Sequence, residues 1–120
     1  SIVGPATNFI IAIIFSLFVR FLNMPQQLPF LLPQQSAFFI ELLSIVAIYN
    51  FLWGLFNLVP IPPLDGSWIL FRFLPQRFER VKMFIQQYGL FLLIFFIFFG
   101  GLQGLSAISQ FFYYLIAGIP

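Results

Sequence analysis

Asp65 is the residue of this chain whose type and position most need a chemical explanation. It lies in "NLVPIPPLDGSW" (57–68), where three prolines, an aspartate and a glycine follow one of the most apolar runs in the sequence. Two chemistries suit a carboxylate there. At the start of a short helix it can cap the free N–H groups of the first turn, and the helix dipole favours its charge. Against capping alone stands the cost of a carboxylate inside a membrane protein, on the order of several kcal/mol unless it is partnered. Ser or Asn would cap more cheaply. The first basic residue after it is Arg72, a helical turn or two away, so a metal ion or a proton is the alternative partner. Asn8 and Asn57 also sit beside helix ends marked by glycine or proline, where unpaired backbone can serve a ligand. Glu41 has no flanking ligand residues, and the chain contains neither cysteine nor histidine. Disulfides and thiolate metal sites are therefore excluded.

The elements that must position Asp65 are apolar. Of 120 residues 62% are hydrophobic and 7% charged, more apolar surface than a soluble domain of this size can bury. Lipid is the expected solvent. A bilayer core needs roughly 20 apolar residues as helix, and the sequence is expected to supply all-α, polytopic transmembrane structure in one membrane-embedded domain, 1–120. The first span is expected from about Ala6 to Leu22 after Gly4-Pro5, and the second from about Ser36 to Leu58, ending at Pro60. Between them "NMPQQLPFLLPQQ" reads as a loop. Pro60, Pro62 and Pro63 break the chain, and the backbone there is expected to be extended and partly unpaired. Leu64 to Leu74 is a short helix closed by Pro75. Arg77 to Gln87 patterns as an interfacial helix, Gly89 to Phe99 as the third span, and Leu105 to Ala117 as a last apolar helix beyond "GGLQG". The Gly100-x-x-x-Gly104 spacing fits either helix packing or a hinge.

Small and polar residues line two of these spans. Gly4, Asn8, Ala12 and Ser16 recur every four positions, and Ala47, Asn50, Gly54 and Asn57 fall within about 80° of one another on a helix. Ser16 and Asn50 are expected to serve packing faces, where small residues admit close approach and amides bond between helices. Four of the five cations, Arg72, Arg77, Arg80 and Lys82, crowd one short segment, which the positive-inside rule places on the cytoplasmic side. Arg20 fits the opposite side. With no second basic surface, nucleic acid is not an expected partner.

"GPATN" (4–8) resembles the G-x-x-x-N motif of the site-2 protease family of intramembrane zinc metalloproteases, and "NLVPIPPLDG" (57–66) resembles its N-x-x-P-x-x-P-L-D-G signature. The tail "FLPQRFERVKMFIQQYGLFLLIFF" is similar to the C-terminal part of bacterial members. Either motif is weak alone, whereas the two in family order on helix ends are specific. The resemblance implies an integral protein of a bacterial plasma membrane that cuts transmembrane segments of other proteins. It implies Asp65 as a ligand of a catalytic zinc ion (Zn2+), and Asn8 as a catalytic-site residue that holds substrate or the developing oxyanion. It also implies two histidine ligands and a glutamate base from an H-E-x-x-H helix, for which this sequence has no histidine. That helix is expected upstream of Gly4, making the chain the C-terminal portion of a longer protein. By themselves these residues are expected neither to bind zinc tightly nor to cleave. An ion- or proton-coupled transporter fragment and a catalytically dead membrane scaffold are the alternatives.

Overall fold

The computed structural model describes residues 3–22 and 33–118, without the side chains of 33–36. It is helical throughout: α1 (Val3–Leu22), α2 (Pro33–Asn57), α3 (Asp65–Phe73), a 3-10 turn (Gln76–Phe78), α4 (Glu79–Phe98) and α5 (Gly101–Ala117). The Pro- and Gln-rich connection is outside the described residues from 23 to 32. Its last three residues open α2 instead, with Pro33 in the first helical position, where its missing N–H leaves no gap.

Among the described residues three helices are long and apolar enough to cross a membrane: Val3–Leu22, Ala37–Asn57 and Gln76–Phe98. The third differs from expectation. The interfacial stretch and the apolar run after it form one helix, bent at Tyr88 (φ −110°, ψ 17°). Eleven apolar residues are too few to span alone, and continuity with the preceding turns supplies the length.

The core lies among α1, α2 and α5. Ala12, Val19, Ala47, Phe51, Tyr113 and Ala117 are buried together, flanked by Phe9, Phe15, Leu43, Ile48 and Ile116. Alanines at the crossing let the backbones come close, and aromatic rings fill the wider gaps. Phe9 packs on Phe51 at 6.3 Å between centroids, and Phe51 on Phe112 at 6.1 Å, so one row of rings ties the three helices together. Gly54 fits under the Phe9 ring, 3.0 Å from where a Cβ would be. α1 and α2 are antiparallel. α5 runs with α1, since Arg20 near the end of α1 donates to the Ile116 carbonyl near the end of α5 at 3.4 Å.

The polar stripes lie largely in this interface: Ser16 is fully buried, as are Ala12 and Ala47, and Gly54 is buried too. Their hydrogen bonds, however, stay within each helix. Ser16 Oγ donates to the Ala12 carbonyl at 2.7 Å and Asn50 Nδ2 to the Val46 carbonyl at 2.8 Å. A side chain bonded to its own helix satisfies its polar group without a partner across the interface.

The molecule measures 61 × 26 × 18 Å. α2, with its 25 residues, is about 37 Å long at 1.5 Å per residue, so the remaining elements continue past the bundle. α4 is the most uncovered span: 6% of its apolar window is buried, against 28% for α1.

Candidate functional site

The segment from Leu58 to Leu64 sets the position of Asp65, and it is folded, not extended. Leu58 and Val59 donate to the carbonyls of Leu55 and Phe56, tightening the last turn of α2. Ile61 N–H bonds the Val59 carbonyl at 2.8 Å, and Leu64 N–H bonds the Ile61 carbonyl at 3.0 Å across the cis Pro62–Pro63 pair. The expectation of open, unpaired backbone is thus corrected. The prolines have no N–H to satisfy, and every N–H that the segment does have is used in a tight turn. A peptide adding as a strand would find carbonyls but no free donors.

α3 starts from this knot. Its N-cap is Leu64, without a side-chain cap, and Asp65 is the first residue inside the helix. Ser67 ties the turn down: its N–H and its Oγ both donate to the Leu64 carbonyl, at 3.1 and 2.8 Å. Asp65 is half-buried. Gly66 explains why the helix can begin there, because a Cβ on it would run into the carbonyls of Leu58 and Val59. The D-G dipeptide marks a turn in the sequence, but the reason for this glycine is contact with the end of α2.

Asp65 faces the start of α1. Its Oδ2 lies 3.7 Å from where a Cβ on Gly4 would sit. Two stretches some sixty residues apart, the glycine of "GPATN" and the aspartate of "PPLDG", therefore meet. Asn8 lies one turn further along α1 on the same face, about 6 Å along the axis, and is half-buried. Asn57 ends α2, half-buried, at the head of the proline knot. Glu41 is exposed on α2, sixteen residues before Asn57, and so about 24 Å away along that helix.

A fourth element closes the far side of the knot. Pro62 presses on Gly89 in the middle of α4, with its Cβ and carbonyl oxygen 2.9 and 3.0 Å from where a Gly89 Cβ would be. The bend at Tyr88 falls beside this contact. An isolated glycine inside an apolar helical run was the available signal for this residue.

Residues 1–98 match the family model for peptidase family M50. The chain belongs to peptidase family M50. No curated protein and no solved structure matches it. Family and spans together make this M50 chain part of an integral membrane protein of peptidase kind. The family is generally zinc-dependent, and the residues present can be tested for that ion. Among the described residues no three His, Cys, Asp or Glu side chains come together. A catalytic zinc takes three protein ligands and keeps an open position. The M50 chain brings one carboxylate, Asp65, to the place where its two motifs meet, and one carboxylate does not make a zinc site.

Proposed function

We propose that these residues form the part of an intramembrane metalloprotease that carries Asp65 and Asn8, within a single membrane-embedded domain. The observation that supports this most is the 3.7 Å approach of Asp65 Oδ2 to the Gly4 position, at the junction of two motifs inside the M50 match. In the assembled enzyme Asp65 is one ligand of zinc, and the histidine ligands come from outside residues 1–120, which contain none. Asn8 presents an amide N–H₂ that donates to a substrate carbonyl or to the oxyanion developing from it. The substrates are transmembrane segments of other proteins, reached through the lipid bilayer. The M50 match supports proteolysis over ion transport.

The site lies toward the membrane face that carries Arg72 to Lys82, cytoplasmic by the positive-inside rule. Arg20 lies in the last turn of α1, sixteen residues beyond Gly4 and about 24 Å away along the helix. That separation fits opposite faces of a bilayer, here that of a bacterial plasma membrane.

The test is cleavage of a transmembrane reporter by the complete protein in proteoliposomes. Asp65→Ala is expected to abolish cleavage and lower bound zinc while membrane insertion persists. Cleavage by Asp65→Ala would remove Asp65 from the metal. Failure of a well-folded, zinc-loaded wild type to cleave any transmembrane reporter would favour the scaffold reading.

A further inference from the structure

The geometry points to an anionic-phospholipid site in the groove between α3 and the first half of α4. Pro62, Pro63, Ser67, Trp68, Phe71, Lys82 and Gln86 line about 410 Å³ there. On α3, Ser67, Trp68 and Phe71 are spaced to share a face, as are Lys82 and Gln86 on α4. The Lys82 ammonium lies 5.8 Å from the centre of the Phe71 ring, close enough for the ring to hold the cation over the groove.

Charge and shape select the occupant. Arg72, Arg77, Arg80 and Lys82 bring four cations to residues 72–82, against Glu79 alone. This excess attracts a phosphate but does not tell a lipid from a free anion. The apolar half of the surface does. Trp68 is 73% exposed and Phe73 77%, beside a groove walled by two prolines and a phenyl ring. Inorganic phosphate gains nothing from those groups. A phospholipid places its phosphate at Lys82 and its glycerol and upper acyl carbons against Pro63, Trp68 and Phe71. Trp is favoured at this headgroup depth, and basic pockets at helix junctions hold anionic headgroups. Ser67 has committed its proton to the Leu64 carbonyl, which leaves its oxygen to accept from a headgroup hydroxyl, while the Gln86 amide both donates and accepts.

Native mass spectrometry of the detergent-purified full chain tests this by titration with phosphatidylglycerol and with phosphatidylcholine of the same acyl chains. The wild type is expected to retain phosphatidylglycerol at about fivefold lower concentration or better. Lys82→Gln is expected to remove about fivefold of that preference, the effect of one surface charge. Arg20→Gln, at the other end of the bundle, is expected to leave it unchanged. In a Trp53→Phe background, phosphatidylglycerol spin-labelled at the headgroup is expected to quench Trp68 fluorescence more than labelled phosphatidylcholine does. Equal retention of both lipids, an equal loss in Arg20→Gln, or an unaffected Lys82→Gln would each overturn the site. Displacement of the lipid by inorganic phosphate would overturn the lipid assignment in favour of a free-anion site.

Discussion

Asp65 and Gly4 mark the place where the two motifs of this chain meet. Their meeting was legible in the sequence as two motifs in order, though nothing in composition or spacing placed their atoms 3.7 Å apart. That distance is ordinary van der Waals contact, so Gly4→Ala is expected to leave the fold intact, and Gly4→Leu is expected to drive branched carbons onto the carboxylate and stop cleavage by the complete enzyme. Equal activity in the two variants would separate Gly4 from the site. Asn8→Ala is expected to lower kcat about 10²-fold, the usual effect of losing one oxyanion donor, with bound zinc unchanged by metal analysis. Loss of zinc there would give Asn8 a different role. Gly66 shows what the sequence concealed. The turn signal was visible, but the carbonyls of Leu58 and Val59 that fill the space beside it were not. Backbone cannot rotate away as a side chain can. Gly66→Ala is therefore expected to lower stability by about 1–3 kcal/mol, read from chemical unfolding in detergent.

At the scale of elements, the helical character and the first two spans were legible, whereas the joints, including the union of two expected helices in α4, were not. Hydrophobic runs fix helices in lipid because every backbone group must be paired internally. The proline segment departs from the expected open backbone for a related reason. Proline rules out helix and sheet ladders but not turns, and the Val59–Ile61 and Ile61–Leu64 bonds use turns to satisfy the N–H groups that remain. Of the two positions, Gly100 makes the left-handed turn between α4 and α5, with φ 95°, and Gly104 lies inside α5 with nothing within 4 Å of a Cβ position. Gly100→Ala is expected to cost about 1–2 kcal/mol through left-handed backbone. Gly104→Ala is expected to gain up to about 1 kcal/mol from helix propensity. Destabilisation by Gly104→Ala would mean that its face packs on another helix after all. Gly89→Ala sets the same propensity gain against a proline ring and carbonyl about 3 Å away, and a loss is expected because the ring is rigid. Its helicity by circular dichroism should stay near wild type while its unfolding midpoint falls.

For the molecule as a whole, the family match and the packing mark different boundaries. The match covers residues 1–98, yet α5, which begins at Gly101, supplies Tyr113 and Ala117 to the core and the buried Ser109. A membrane gives no hydrophobic drive for helices to associate, so close packing must hold the bundle. Without α5, Phe51 would lose its contact with Phe112, and the buried core would keep only the residues of α1 and α2. Among the described residues Tyr113 is the largest fully buried side chain. Its hydroxyl is buried and makes no hydrogen bond among the described residues. Tyr113→Phe is therefore expected to be neutral or slightly stabilising, since it removes a buried hydroxyl that lacks a partner. Tyr113→Ala is expected to cost about 3–5 kcal/mol, as for other large aromatic deletions. A chain ending at residue 100 is expected to insert but to unfold at far lower denaturant than the chain of 120 residues. An unchanged unfolding midpoint in that shortened chain would show that α1 and α2 suffice as a pair, and that the bundle is held by their alanine and glycine crossing alone.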